Sequence, residues 1–367
     1  MASDGVKSTS ADGRRGAATQ DPIARVLLDA QKLAFAPLMF QAARALLKLK
    51  VLEVLHEAGE GGLVEGEIAE RLSIPESGLR VLAQAGTAMG LVRQDQGRYG
   101  LTKLGYVWLT DEIVHVNADF VHDVCYRAFY WLDESVRTGR PEGLKVFADW
   151  ERLYPGLTAL PEPARSSWYR FDHYYSDDAL PRALAIAYKN PPQRVLDIGG
   201  NTGRFAIACA EQFPDAECTI LDLPMQLRNT DAHIRSRGYS SRITCLAMDV
   251  LDERAVLPRG YDSIWMSQFL DCFSEAQNVV LLNRVRDVMT PDTTLFVMEP
   301  CWDRQRLEAS SYSLHATSLY FACIATGNSR MYSAAEYLAM IEEAGLAVEE
   351  QHDHVGICQT LFKCRRG

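Results

Sequence analysis

The nine cysteines of this 367-residue chain (positions 125, 209, 218, 245, 272, 301, 323, 358 and 364) form no C-x-x-C pair and no finger-like spacing. That absence argues against a structural metal site or a disulfide scaffold, and most of the cysteines fall inside apolar runs, as reduced buried thiols do in a cytoplasm. Positive charge is also scarce. Lys and Arg number 38 against 48 Asp and Glu, a formal net charge of -10, so neither nucleic acid nor an anionic membrane is an expected partner. No apolar stretch has the length of a membrane span. The twin arginine Arg14-Arg15 is followed by no apolar core, so residues 1–21 read as a disordered tail and the expected location is cytoplasmic. No internal repeat or low-complexity segment appears beyond that tail. What remains is an ordinary globular composition, 47% apolar and 23% charged, long enough for two units that each bury a core.

Apolar residues recur at helical spacing over 22–58 (Val26, Leu27, Leu33, Leu38, then Leu46, Leu49, Leu52 and Leu55). They predict two amphipathic helices whose apolar face is wider than one small domain needs, so part of it is expected to meet a second subunit. Residues 64–101 then read as helix (64–72), turn, helix (78–89) and a hairpin around Asp95-Gln96-Gly97, a winged-helix pattern. Between residues 64 and 106 five basic residues are balanced by five acidic ones, a poor grip on phosphate. The predicted organisation is a winged-helix domain at 22–110, an aromatic-rich helical bridge and pocket roof at 111–190, and an α/β domain at 191–367.

From residue 193 strands and helices alternate, which implies a parallel sheet covered on both faces, with ligands at the carboxyl ends of its strands. The first strand, 194–198, runs into Asp197-Ile198-Gly199-Gly200-Asn201-Thr202-Gly203. A carboxylate at a strand end followed by a glycine turn suits a cofactor with a charged amino-acid end and an adenosine, namely S-adenosylmethionine; the glycines allow close backbone approach. Asp222 and Asp249 end the next two strands, 25 and 27 residues further on, the spacing of consecutive β-α units. The second is placed to accept ribose hydroxyls and the third the adenine amino group. A nicotinamide dinucleotide would want G-x-G-x-x-G here, which the turn lacks, and Asp197 would repel a pyrophosphate.

With V-L-D-I-G-G-N-T-G, L-D-L-P, M-D-V, the stretch at 267–275 and Met298-Glu299-Pro300, the chain resembles the small-molecule O-methyltransferases of caffeate, hydroxyindole and bacterial tailoring type. The resemblance runs from about residue 22 to 363. It implies a Rossmann-like catalytic domain after a winged-helix dimerisation domain, hence a homodimer, with S-adenosylmethionine as methyl donor to a small-molecule acceptor. It assigns Gly199 to the methionine end with Asp197 and Gly200 in the same turn, Asp222 and Leu223 to the ribose and one adenine face, Asp249 and Val250 to the adenine, and Ser267 to the amino-acid end. Phe273 stands where the family carries Trp.

The acceptor side departs from the pattern. Asp271 occupies the position of the family's general-base histidine, Glu299 matches a supporting glutamate, and Ser329 replaces a second one. Methyl transfer from a sulfonium is a direct displacement that alignment in a dry pocket can carry. Asp271 is therefore a tuned base, a positioning group or a solvated acid without a role; His315, on a helix with Tyr320 and Phe321, is the best substitute base. A metal held by Asp271, Glu299 and His315 lacks any short ligand spacing, and no metal is expected. Phe129, Trp131, Tyr320 and Phe321 suit a flat acceptor. The reading is O-methylation of a small aromatic or hydroxylated metabolite in secondary metabolism; N- or C-methylation on the same fold, and a non-catalytic cofactor-binding regulator, are the alternatives.

Overall fold

Hydrophobic periodicity changes from helical to strand-like near residue 194, and the architecture follows it. The computed structural model describes residues 22–367, so the tail expected at 1–21 lies outside the described residues. The chain divides into two compact units between His115 and Val116. In the first, the helices Pro22–Lys48 and Val51–Glu57 are separated by Lys50, whose φ of 62° breaks the helical path. Helices Glu65–Leu72 and Glu76–Met89 follow, then a three-stranded sheet ordered β1-β3-β2, with β1 Leu63–Val64, β2 Val92–Asp95 and β3 Arg98–Leu101. Leu46, Leu52, Ile68, Leu79, Val92 and Tyr99 form its core. Two of its arginines are tied within the unit, Arg80 to Glu65 at 2.6 Å and Arg98 to the carbonyls of Gly61 and Gly62.

The second unit is built on a seven-stranded sheet of order β6-β5-β4-β7-β8-β10-β9. Its strands are β4 Arg194–Ile198, β5 Glu217–Asp222, β6 Ile243–Ala247, β7 Ser263–Ser267, β8 Thr294–Pro300, β9 Leu346–Val355 and β10 Gln359–Arg366. The first five are parallel; β10 runs antiparallel to both β8 and β9. Alternate residues serve opposite faces, as a pleated strand requires. Leu196, Ile198, Ile264, Met266, Leu295 and Val297 pack under helices Glu275–Val288 and Ala334–Glu343. Val195, Trp265, Phe296 and Met298 pack with helices Leu180–Ala187 and Arg204–Gln212 on the other side.

Strand order reverses between β4 and β7, and that reversal opens a crevice at their carboxyl ends. Above it lies a separate apolar layer in which Phe120, Leu144, Leu153, Leu157 and Trp168 pack with Tyr320, Phe321 and Met331. The segment read as a bridge thus shares its core with the helix Glu308–Tyr320 of the α/β unit. Among the described residues no helix is long and apolar enough to cross a membrane.

Candidate active site

At the crevice the turn after β4 is held by its neighbours. Gly199 N–H donates to the Leu221 carbonyl at 2.8 Å, and Asn201 N–H to Asp222 Oδ2 at 2.8 Å. Gly199 has φ +78°, and a Cβ there would meet the Phe269 ring at 2.2 Å; one on Gly200 would meet Asp197 Oδ2 at 2.5 Å. The first two glycines are therefore demanded by protein groups, the Phe269 ring and the Asp197 carboxyl, before any ligand arrives.

Two cavities meet here. One, of about 290 Å³, is lined at one end by Gly199, Asn201, Asp222, Leu223, Asp249 and Val250, and at the other by Asp271, Cys272, Phe273, Tyr320 and Phe321. That volume lies near the lower limit of the roughly 300–1,000 Å³ usual for ligand pockets. A smaller one, of about 70 Å³, is lined by Asp197, Gly200 and Ser267, and shares Gly199, Asn201, Asp172 and Gln268 with the first. The strand-end residues of the sequence reading are thus brought to one place.

The donor-side electrostatics point to a cation. Asp197 is 2% exposed, and burial, reinforced by Asp222, pushes its carboxyl up to about 8. Asp222 is pushed up to about 6 by burial, against the pull of the Leu223 and Asn201 amides. Burial also raises Asp172. Three buried acceptors, Asp197 Oδ2, Asn201 Oδ1 and Gln268 Oε1, have no hydrogen-bond partner. Unpaired buried acceptors are costly, and a ligand that brings N–H donors with positive charge suits a turn so rich in them. The ammonium end of S-adenosylmethionine fits that description.

Asp249 was read as the adenine acceptor; in this structure it also holds an ion pair with Arg152, from the roof segment, and accepts the Leu251 N–H at 2.9 Å. Arg152 carried no sequence signal, being distant along the chain and outside any motif. Asp172, on the helix Ala164–Ser176, was missed for the same reason; it accepts from Asn201 Nδ2 at 3.0 Å.

On the acceptor side Asp271 is 2% exposed on the cavity wall. Burial pushes its carboxyl up to about 7, with Asp172 adding to the effect and the Cys272 thiol, which donates to Oδ1 at 3.3 Å, opposing it. Glu299 is fully buried behind the wall. Its Oε1 accepts the N–H groups of Phe269 and Leu270, each at 2.9 Å, and its Oε2 accepts from Tyr337 at 3.3 Å; burial, then Asp271, raises it well above the usual range. Glu299, expected beside Asp271 in the catalytic group as its supporting glutamate, thus pins the turn that presents Asp271 and sits off the cavity wall, a positioning residue that does not itself reach the reacting groups. Gln268, in that turn, takes φ 46°, strain of the kind that accumulates where a site fixes the backbone.

Three expected site residues lie elsewhere. His315 is solvent-exposed, its ring 4.8 Å from that of Trp302, because the cavity-facing side of its helix is Thr317 and Tyr320. Phe129 packs into the roof core, and Trp131 lies under Lys145 Nζ, 4.9 Å from the ring centroid; neither lines the cavity. Tyr154 and Trp168 take their place in the wall. Among the described residues no three His, Cys, Asp or Glu side chains are grouped to hold a metal ion.

Residues 182–347 match the model of the O-methyltransferase domain and residues 28–99 that of the Dimerisation2-like domain. The chain carries an O-methyltransferase domain. This methyltransferase is 25% identical over 335 residues to the L-tyrosine C(3)-methyltransferase of Streptomyces lavendulae, covering 89% of this chain and 90% of the relative. It is 27% identical over 317 residues to the 3-hydroxy-5-methyl-1-naphthoate 3-O-methyltransferase of Streptomyces sahachiroi, covering 84% and 88%. Among solved structures it is similar to the S-adenosylmethionine-dependent methyltransferase SibL in its apo form, with TM-score 0.68, 25% identity, and coverage of 91% and 98%. The mitomycin 7-O-methyltransferase MmcR shares the fold at TM-score 0.69 and 23% identity, with coverage of 97% and 100%. The enzyme is a methyltransferase that uses S-adenosylmethionine.

Proposed function

We propose that this enzyme methylates a hydroxyl of a small aromatic metabolite, with Asp271 as general base, and that it works as a cytoplasmic homodimer through its dimerisation-type domain. The observation that carries the reading is the buried carboxyl of Asp271 on the wall of the cavity that also holds the strand-end acids. Nine free cysteines, most of them buried, suit the reducing compartment. Asp222 and Leu223 would hold the ribose, Asp249 and Val250 the adenine, and Asp197, Asn201 and Gln268 the amino-acid end. When bound, the cofactor supplies an electrophilic methyl group on a sulfonium.

A carboxylate of ordinary pKa near about 4 taking a proton from a phenol near about 10 works against roughly 8 kcal/mol. Burial raises the Asp271 carboxyl towards neutrality and so lowers that cost, and methyl transfer can then follow without a histidine. Trp168, Tyr320 and Phe321 exclude water and hold a flat ring, and Glu299 keeps the Asp271 turn in place through the two backbone N–H groups.

The relative from Streptomyces lavendulae, named for methylation of a ring carbon, supports a second reading. Removing a phenolic proton also activates the adjacent ring carbon, so the same base would serve C-methylation and alignment would choose the atom. The test uses methyl-labelled S-adenosylmethionine with a panel of hydroxylated aromatics. Formation of an aryl methyl ether is the expected result. Label on carbon would establish the second reading, and tight cofactor binding without transfer to any acceptor would contradict both.

A further inference from the structure

This inference rests on the methyl-transfer reading above and names the charge class of the acceptor. Among the described residues the cavity wall carries the acids Glu151, Asp172, Asp222, Asp249 and Asp271 against a single cation, Arg152. That cation is already spent in its ion pair with Asp249 at the adenosine end. Among the described residues no Lys, Arg or His lines the acceptor end.

Several of the polar groups there are committed among themselves. Trp168 Nε1 donates to the Tyr320 hydroxyl at 2.7 Å, the Thr317 hydroxyl to the Ser313 carbonyl at 2.9 Å, and the Thr326 and Ser329 hydroxyls pair at 2.6 Å. The Cys272 thiol donates to Asp271 Oδ1 at 3.3 Å, with the Tyr154 ring beside it. The wall therefore presents a carboxyl oxygen, aromatic faces and the side-chain amides of Asn328 and Gln277 to a ligand. A buried anion needs a cation or several donors to replace its water. Among the described residues no cation is on offer there, and the nearest carboxyl, Asp271, has the wrong sign once ionised. A neutral hydroxyl meets the opposite situation: it donates to Asp271 and lays its ring against Tyr320 and Phe321.

We infer that the acceptor carries no carboxylate or other anionic group, and that Asp271 is the residue that rejects acidic analogues. The same side chain takes the proton from an accepted hydroxyl and repels a competing acid, so specificity comes from a repulsive element as well as an attractive one.

Two measurements test this on the full chain. In the first, the enzyme is incubated with methyl-labelled S-adenosylmethionine and a metabolite extract of its source, and labelled products are separated by anion exchange near neutral pH, before and after mild alkali. The expected label passes unretained as an alkali-stable ether. Label retained as an anion, or released by alkali as from a methyl ester, overturns the inference and leaves methyl transfer standing. Absence of any labelled product overturns the methyl-transfer reading itself.

In the second, 2-naphthol and 2-naphthoate are titrated against protein loaded with S-adenosylhomocysteine, followed by tryptophan fluorescence. The wild type is expected to prefer the naphthol by at least about 30-fold, and Asp271→Asn to narrow that preference to within about 5-fold by admitting the acid. Equal binding of the two by the wild type overturns the proposal, as does an unchanged preference in the variant.

Discussion

At the donor end of the cavity most polar residues come from the turns just past β4, β5 and β6, whereas the acceptor end is assembled from segments far apart in the chain. Asp222 and Asp249 lie at or within two residues of a strand terminus, and Asp197 is the penultimate residue of β4. Tyr154, Trp168, Asp271 and Tyr320 come from the roof, the turn after β7 and the helix Glu308–Tyr320. A strand fixes the place and direction of the residue that follows it, so the donor end is determined locally. The acceptor end depends on how three distant segments pack, which leaves room for an aspartate where the family resemblance implies a histidine.

The contrast is broken most severely at Gly199. Gly199→Ala would place a methyl at 2.2 Å from the Phe269 ring in a backbone with φ +78°, and the expected loss is about 2–4 kcal/mol of stability by overpacking and left-handed strain. Chemical denaturation checks it, and a loss below about 0.5 kcal/mol would show that the Phe269 turn is not rigidly tied to the donor end.

Asp222→Ala comes next. It strips the acceptor from the Asn201 and Leu223 amides, 2.8 and 2.6 Å away, and from the cofactor. S-adenosylmethionine affinity should fall by at least about 100-fold, the weight of one or two charge-assisted hydrogen bonds. Isothermal titration reads this directly, and a change under about threefold would remove Asp222 from the donor site.

The smallest effect belongs to His315→Ala. Its ring is exposed against Trp302, so turnover should stay within about twofold of wild type, as for surface substitutions generally. A loss beyond about tenfold would place the histidine in the chemistry and return the acceptor end to the family pattern.

The same division explains what could be read from the sequence. Asp197, Asp222 and Asp249 were legible because strand alternation and the 25- and 27-residue spacings put each near the carboxyl end of a neighbouring strand in one sheet. Asp271 was legible as a position, yet its raised carboxyl was not, because burial comes from Tyr154 and the roof layer, which no local pattern announces. His315, Phe129 and Trp131 were misplaced for a related reason. Amphipathic spacing identifies a helix face but does not say whether that face meets a cavity, a core or solvent, and here Thr317 and Tyr320 took the cavity side. Arg152 had no motif at all; only the folded roof brings it to Asp249. Glu299 was found as a residue, while its work on the Phe269 and Leu270 amides became visible only with the turn in place.

The claim that Asp271 is the base is tested most directly by the pH dependence of single-turnover methyl transfer in the wild type and in Asp271→Asn. A base with its carboxyl raised to about 7 is protonated and idle below that pH and ionised above it, so the wild-type rate should climb with pH and level off above a midpoint near 7. The variant should be slower by about 100-fold, in the range of general-base loss, without that midpoint and with cofactor affinity preserved. A flat wild-type profile, or the same midpoint surviving in Asp271→Asn, would contradict the account.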